Sequence, residues 1–253
     1  MDLGLDGRVY VLTGASRGLG FATASALVAE GARVVISARD ADAVADAVDR
    51  LGGDDHAHGV AADLADPDTA RRLVDAATAR FGRIDGALIS VGGPPHGSTL
   101  QVTDEQWRQS FESVFLGAVR TARVIAAALS EGGALALVAS SSAKSPIVDL
   151  GISNGLRPGL SMVAKELADE LGPRGIRVLS LLPGRVLTGR LHELFEATGD
   201  AERAAADAAA RIPLRRVGEP AEFARVAAFV LSPAASYLTG VALPVDGGAM
   251  RTL

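Results

Sequence analysis

A glycine-rich stretch near the start of the chain has the composition of a phosphate-binding loop. Gly14, Gly18 and Gly20 follow the apolar run Val9–Thr13 and open a segment with helical periodicity. A helix N-terminus offers unpaired N–H groups and a positive dipole end to a pyrophosphate, and glycines allow the ligand a close approach. The same spacing also occurs in strand-to-helix turns, but here it begins an α/β pattern. We therefore predict dinucleotide binding.

Two arginines flank the position expected for a ribose 2′-phosphate. Arg17 lies within the glycine loop, and Arg39 follows the second apolar run, Val34–Ser37. Enzymes that prefer NAD usually place an acidic residue there, whereas a guanidinium offers charged, bidentate donors to a phosphate. The two arginines favour NADP(H) over NAD(H), although Asp40 could pair with Arg39 and compete with the phosphate.

Apolar runs alternate with helical patterns along the whole chain. The runs predicted as strands are 9–13, 34–37, 57–62, 86–90, 134–139, 176–181 and 241–245. Such alternation is typical of a doubly wound parallel α/β sheet of the Rossmann-like class, with helices on both faces. No linker or repeat divides the 253 residues. We predict a single domain, 1–253, with an alanine-rich substrate lid at 188–211.

The bulk composition narrows the classes of partner. A net charge of −5 without a basic run argues against a nucleic-acid partner. No apolar run approaches the roughly 20 residues of a membrane span, and the N-terminus carries no cationic signal region. The absence of cysteine excludes thiol chemistry, and four scattered histidines make a metal site unexpected. We expect a cytoplasmic protein with a small-molecule substrate and no membrane or nucleic-acid partner.

The motifs together resemble the short-chain dehydrogenase/reductase family, and the resemblance covers essentially the whole chain. The stretch from Thr13 to Gly20 is similar to the family's TGxxxGxG, and 183–188 is similar to its PGxxxT. Ser90-Val91-Gly92 stands where Asn-Ala-Gly is usual, and Asp63 matches the acid that contacts adenine. The C-terminal third is also similar. Members of the 3-oxoacyl-carrier-protein reductase type are nearest in pattern.

The resemblance implies a cofactor site and an assembly. The cofactor site would draw on loops after several strands, with contacts from Gly14, Ser16, Arg17, Gly18, Leu19, Gly20, Arg39, Asp63, Leu64, Ser90, Gly92, Pro183, Gly184, Val186 and Thr188. The assembly would be a homo-oligomer, a tetramer or a dimer, built through 104–129, 158–171 and 241–253.

The family's catalytic residues are largely replaced in this chain. The family uses a Ser, a Tyr-x-x-x-Lys pair and an Asn; the Tyr protonates the carbonyl oxygen and the Lys lowers its pKa. Ser140 fits the Ser position, but Ser153 stands at the Tyr position, Arg157 at the Lys position and Val114 at the Asn position. Neither a serine hydroxyl nor a guanidinium titrates near neutral pH, so another proton donor is needed.

A replacement donor can be nominated from its position in the chain. His96 lies in the loop after the fourth predicted strand, on the side of the sheet where ligands bind, and imidazole has a suitable intrinsic pKa. Lys144 and His192 are weaker candidates. Because Gly155, Pro158 and Gly159 disfavour a helix, we also predict an irregular 153–157 segment, with the regular helix beginning near Pro158.

Three functions remain open from the sequence. The first is an NADP-dependent oxidoreductase acting on a carbonyl or hydroxyl group through an atypical active site. The second is an NADP(H)-binding sensor or partner subunit with little or no catalysis. The third is non-redox chemistry on the same scaffold, because a fold does not dictate a function. The glycine loop supports the first two, and the missing Tyr and Lys count against the first.

Overall fold

A parallel sheet of seven strands, ordered β3-β2-β1-β4-β5-β6-β7, forms the centre of the structure. The structure is a computed structural model that describes residues 2–196 and 198–252, so Met1, Ala197 (within the predicted lid) and Leu253 lie outside the described residues. The strands are β1 Val9–Thr13, β2 Arg33–Ala38, β3 Ala57–Ala61, β4 Gly86–Ile89, β5 Ala134–Val138, β6 Arg177–Pro183 and β7 Ala242–Val245. The predicted doubly wound parallel sheet is confirmed.

Helices cover both faces of the sheet. They are α1 Gly18–Ala29, α2 Ala41–Arg50, α3 Thr69–Phe81, α4 Asp104–Ser110, α5 Gly117–Ala128, α6 Gly151–Leu171, α7 Gly189–Glu196, α8 Ala201–Ala210 and α9 Pro220–Leu231. Tyr10 and Leu12 of β1 pack with the α1 and α9 side, whereas Val9 and Val11 pack with the α3, α5 and α6 side. Burial on both faces explains why the strands are continuous apolar runs.

The helix that follows Thr103 is interrupted in its second turn. The pattern Thr103-Asp104-Glu105-Gln106 predicts a capping box, and it is present. Thr103 Oγ1 accepts from the Gln106 N–H (3.2 Å), and Gln106 Oε1 accepts from the Thr103 N–H (2.9 Å). Residues 111–116 are then π-helical. This changes the phase of the apolar stripe, so that Phe111 is 43% exposed while Val114 is buried. The helical spacing of Trp107, Phe111 and Val114 predicts one long helix with a continuous apolar stripe, and this prediction is wrong at Phe111.

The predicted irregular segment before Pro158 is also wrong, because α6 is helical from Gly151 through Pro158 to Leu171. The proline removes one intrahelical hydrogen bond, but tertiary contacts stabilise the first turns of the helix. The Asn154 side chain accepts from the Ile147 N–H (2.9 Å) and donates to the Ile147 carbonyl (2.8 Å). These side-chain contacts with the preceding loop outweigh the local propensity of the segment.

The two glycines of α6 serve helix packing rather than helix termination. A Cβ at Gly155 would lie 2.5 Å from Cη2 of Trp107, and a Cβ at Gly159 would lie 3.0 Å from Cε2 of Phe115. Both aromatic residues belong to the neighbouring segment of α4 and the π-helix. The glycines thus allow α6 to approach this segment closely, which positions the start of α6 beside the functional site.

Substitution of Gly155 by Ala should lower the thermal stability. The added methyl group overlaps the Trp107 ring, and overpacking of this kind typically costs about 1–3 kcal/mol. Gly172→Ala is the matched control, because Gly172 ends α6 with helical dihedral angles (φ −52°) and a Cβ there meets nothing within 4 Å. Thermal unfolding should show Gly155→Ala melting below wild type and Gly172→Ala unchanged or slightly higher; equal midpoints for the two variants would contradict this packing.

Candidate functional site

The glycine loop lies at the point where the strand order reverses, between β1 and β4. Gly14 (φ +58°) and Gly18 (φ +60°) adopt left-handed conformations, and a Cβ at Gly14 would lie 2.8 Å from the Ser90 carbonyl oxygen. A Cβ at Gly20 would collide with the Gly14 carbonyl. Each predicted glycine is therefore required by the geometry, and ligands of open α/β sheets bind at such a switch point.

The first turn of α1 is open to an anion. Arg17, in extended conformation, precedes the helix and makes no side-chain capping hydrogen bond. The N–H groups at a helix start have no intrahelical partner, and the Arg17 side chain does not cap them, so they are available to a ligand. These residues fit the phosphates of a dinucleotide.

Thr13 connects the glycine loop to the loop that follows β4. Thr13 Oγ1 donates to the Ser90 carbonyl (2.7 Å) and accepts from the Ser90 N–H (3.0 Å). The backbone pairing of β1 with β4 ends at Leu12 and Leu88. The two hydrogen bonds of Thr13 therefore replace strand-to-strand hydrogen bonds at the point where the strands diverge. Ser90 and the glycine loop are thereby held side by side.

The two arginines expected at a 2′-phosphate are both exposed. Within the described residues, neither Arg17 nor Arg39 forms an ion pair. The anticipated Arg39–Asp40 pair is not formed, because Asp40 caps α2 by accepting from the Ala43 N–H (3.1 Å). Asp63 is exposed at the end of the β3 loop and accepts from the Ala65 N–H (2.9 Å). The half-buried Leu64 follows it.

The segment after β6 faces the glycine loop across a cavity of about 180 Å³. A Cβ at Gly18 would lie 3.6 Å from Cγ2 of Thr188, which shows how close the two loops are. The cavity is lined by Leu19 of the glycine loop and, among others, by Pro183, Gly184, Val186, Thr188 and Arg190. The structure thus brings two of the predicted cofactor segments together.

Arg157 lies buried where β4 and β5 separate. Its Nη1 donates to the Val138 carbonyl (2.8 Å) and its Nη2 to the Gly92 carbonyl (3.4 Å), just beyond the last paired residues, Ile89 and Leu137. Its Nε is buried without a hydrogen-bond partner among the described residues. Burial, reinforced by the charge of Arg190, lowers the pKa of Arg157 to about 10, so the guanidinium stays charged at neutral pH.

Three serines are connected at the end of β5. The Ser142 N–H donates to Ser140 Oγ (3.1 Å), and the Ser142 and Ser153 hydroxyls are 3.0 Å apart. Ser142 and Ser153 are buried, whereas Ser140 is half-buried. The sequence indicates Ser142 only as part of the cluster 140–142, which could bind a substrate oxygen, because its connecting role depends on the approach of α6. Ser153 therefore faces Ser142, and Ser140 is the more accessible hydroxyl.

His96 is exposed in a loop that approaches the start of α6. The adjacent Gly97 donates its N–H to the Asp149 carbonyl (2.9 Å) and accepts from the Gly151 N–H (2.9 Å). Within the described part of the chain, no hydrogen bond or ion pair joins His96 to Ser153 or Arg157. The structure places the loop near the site but does not place the imidazole in contact with the other candidates.

Arg190 is a site residue that the sequence reasoning missed. It lies in the first turn of α7, and its Nη2 donates to the Pro94 carbonyl (2.9 Å). Its guanidinium occupies the space beside Gly93 that a side chain there would fill. Burial lowers the pKa of Arg190. The only signal in the sequence was an arginine two residues after Thr188; the weaker candidate His192 instead faces Glu196, with 3.6 Å between Nε2 and Oε1.

The described residues contain neither a candidate metal site nor a candidate membrane-spanning helix. Over residues 2–196 and 198–252, no group of three or more His, Cys, Asp or Glu side chains is placed to hold a metal ion. None of the helices in the same residues combines the length and the apolar character that a membrane crossing needs.

Known proteins share this architecture over their whole length. The family model described as enoyl-(acyl carrier protein) reductase matches residues 14–250. An uncharacterized oxidoreductase of Methylorubrum extorquens is 36% identical over 96% of this chain and 98% of its own. The chain belongs to the short-chain dehydrogenase/reductase family. This confirms the family membership expected from the glycine loop, the PGxxxT-like segment and the C-terminal third.

Two solved structures add detail on what related chains contain. L-sorbose reductase from Gluconobacter frateurii, complexed with NADPH and L-sorbose, superposes with a TM-score of 0.92 at 31% identity, with all of both chains covered. A short-chain oxidoreductase from Pseudomonas aeruginosa PAO1, described as containing an atypical catalytic center, has a TM-score of 0.91 at 28% identity, again over all of both chains.

Replacement of Thr13 by Val should destabilise the protein more than replacement by Ser. Valine keeps the shape but leaves the N–H and carbonyl of Ser90 without their partner, and each buried unpaired group costs about 1–3 kcal/mol. Serine keeps the hydroxyl and loses only a methyl group. Chemical denaturation should give a larger drop in the free energy of unfolding for Thr13→Val, and an equal drop for both variants would contradict the role assigned to the hydroxyl.

Proposed function

We propose that the protein is an NADP(H)-dependent oxidoreductase that interconverts a carbonyl and a hydroxyl group through an atypical active site. The observation that carries this proposal is the convergence of the glycine loop, Ser140 and the Pro183–Thr188 segment at one edge of the sheet, beside a cavity of about 180 Å³. Membership in the family supports the redox chemistry. The NADPH-bound sorbose reductase supports the choice of cofactor.

The residues that would hold the cofactor follow from the loops. The glycine loop, with Ser16 and Leu19, would bind the pyrophosphate, and Arg17 with Arg39 would bind the 2′-phosphate. Asp63 and Leu64 would contact the adenine, while Ser90, Gly92 and the 183–188 segment would contact the nicotinamide half. When bound, the reduced cofactor supplies a hydride to the carbonyl carbon. The absence of an Arg39–Asp40 ion pair supports NADP(H) over NAD(H).

Ser140 would bind the substrate oxygen. Its Oγ accepts from the Ser142 N–H, so its own proton remains free to be donated to a carbonyl oxygen. This hydrogen bond fixes Ser140 Oγ in place before the substrate arrives, and donors held in place in advance favour a developing negative charge on the substrate. We assign the contact with the reacting oxygen to Ser140.

Ser153 and Arg157 would act differently from the family's Tyr and Lys. The Ser153 hydroxyl is buried against Ser142, and it would position Ser140 through that contact. The charged Arg157 would stabilise negative charge near the end of β5 without donating a proton, since it is protonated at neutral pH. His96, exposed beside the start of α6, would deliver the proton. The Pseudomonas relative with an atypical catalytic center supports a departure from the usual residues.

The lid and the assembly would involve segments around the proposed site. Helices α7 and α8, within 188–211, would cover the substrate. A homo-oligomer would form through 104–129, 158–171 and 241–253, and the exposure of Phe111 (43%) and Met162 (70%) on the first two of these segments supports this. We retain the cytoplasm as the proposed location.

The preference for NADPH should depend on the two exposed arginines. Arg39→Ala and Arg17→Ala should each raise the Kd of NADPH about tenfold or more, because each removes a charge-assisted hydrogen bond to the 2′-phosphate. The Kd of NADH should stay nearly unchanged. Arg71→Ala, which removes the same charge from the exposed surface of α3, is the control. Titration of both cofactors measures this, and an equal loss for NADH and NADPH would contradict the assignment.

Turnover should respond to the nominated catalytic groups. NADPH oxidation is followed with wild type over a panel of aldehydes and ketones, and then with Ser140→Ala and His96→Ala. Both variants should lower kcat about a hundredfold, in the range typical of general acid catalysis and oxyanion stabilisation, while the Kd of NADPH stays constant. Unchanged kcat in His96→Ala would eliminate the histidine as donor, and absence of NADPH binding would overturn the whole proposal.

One observation favours a second function, that of an NADP(H)-binding protein with little catalysis. Ser153 is sequestered by Ser142, and Arg157 is engaged with backbone carbonyl oxygens rather than exposed in the cavity. On this reading the chain serves as a sensor or a partner subunit. Tight NADPH binding without turnover on any carbonyl of the panel would select this function over the first.

A further inference from the structure

Two guanidinium groups converge on the short loop Gly92-Gly93-Pro94. Arg157 reaches it from α6 and donates to the Gly92 carbonyl (3.4 Å), while Arg190 reaches it from α7 and donates to the Pro94 carbonyl (2.9 Å). Gly93, between them, has no side chain, and the Arg190 guanidinium takes up that space. The two cations thus share one small region at the carboxyl ends of β4 and β5.

The charge of this pair is not balanced within the described residues. No carboxylate of residues 2–196 and 198–252 lies within 4.0 Å of Arg157 or Arg190, and Glu193 only partly offsets the effect of burial on the pKa of Arg190. The two guanidinium groups interact unfavourably, since the charge of Arg190 lowers the pKa of Arg157. An anion placed beside them would relieve both the repulsion and the desolvation.

The donors available to such an anion can be named. Arg190 donates Nη2 to the Pro94 carbonyl and has no other hydrogen bond within the described chain, so its remaining donors are free for the anion. Arg157, whose Nε is buried without a partner, contributes its charge only. Arginine offers a planar fork of donors that matches a carboxylate. Because Arg190 also lines the cavity together with Thr188, an anion bound to it would lie next to the reacting centre.

We propose that Arg190, supported by the charge of Arg157, binds an anionic group of the substrate, so that this chain acts on oxo acids and hydroxy acids. This rests on the proposed oxidoreductase function and names its substrate class. A cofactor phosphate is also an anion that Arg190 could bind. The cofactor phosphates, however, would bind at the open first turn of α1 and at Arg17, on the β1 side. Arg190 instead contacts the loop after β4. It is a specificity-determining residue at the base of the lid.

The test compares acids with their neutral esters in the presence of NADPH. The pairs are pyruvate, acetoacetate and levulinate with the corresponding methyl esters, which vary the distance between the ketone and the carboxylate. Wild type should favour at least one acid over its ester in kcat/KM by about tenfold or more, as expected for a charge-assisted hydrogen bond. Arg190→Gln should abolish this preference, and Arg190→Lys should retain part of it.

Two further variants separate the charge from its surroundings. Arg71→Ala removes an equal charge from the exposed surface of α3, outside the proposed lid, and should leave the acid preference as in wild type. Gly93→Ala keeps every charge but displaces the Arg190 guanidinium, and it should reduce the preference as Arg190→Gln does. An acid preference that survives Arg190→Gln, or a wild type that reduces the pairs without preferring any acid, would overturn the proposal.

Binding measurements distinguish the other outcomes. The Kd of NADPH should be the same in wild type and Arg190→Gln, whereas a parallel loss for acid, ester and NADPH would show that Arg190 binds a cofactor phosphate and would overturn the proposal. If no pair is reduced, titration of the acids into the protein–NADPH complex decides. Acid binding that is lost in Arg190→Gln supports the anion site even though the proposed oxidoreductase function fails, and no acid binding overturns the site itself.

Discussion

The divergence of the central strands is the constraint on which the site depends. Pairing ends at Leu12 and Leu88 between β1 and β4, and at Ile89 and Leu137 between β4 and β5. Buried peptide groups beyond these points must find other partners, because leaving one unpaired costs about 1–3 kcal/mol. The Thr13 hydroxyl supplies those partners where β1 and β4 separate, and the Arg157 guanidinium supplies them where β4 and β5 separate.

The same two side chains also shape the proposed site at the ends of these strands. Thr13 holds Ser90 against the glycine loop, which keeps the proposed cofactor surface continuous from β1 to β4. Arg157 brings a buried positive charge to the end of β5, where Ser140 presents its hydroxyl. A charge held in this way can stabilise an oxyanion but cannot replace a titrating tyrosine. In the proposed reaction, Arg157 would stabilise charge and His96 would deliver the proton, two roles that the family's Tyr-x-x-x-Lys pair combines.

The sequence was sufficient for the sheet, the glycine loop and the capping box at Thr103, because each follows from local periodicity or local hydrogen bonding. It failed at α6, where Gly155 and Pro158 indicated a break but long-range packing on Trp107 and the Asn154 contacts preserve the helix. The π-helical turn was missed because it has no periodic signature. Arg190 was missed because its contact with the loop after β4 links positions far apart in the chain.

Transfer of an isotopic label from the cofactor to the product tests the central claim most directly. NADPH carrying deuterium at the transferable position of its nicotinamide is incubated with the protein and a carbonyl substrate that it consumes, or with the whole carbonyl panel. The account predicts an alcohol product that carries one deuterium at the former carbonyl carbon, detected by mass spectrometry. Unlabelled product, or bound NADPH without any labelled alcohol, would contradict the account.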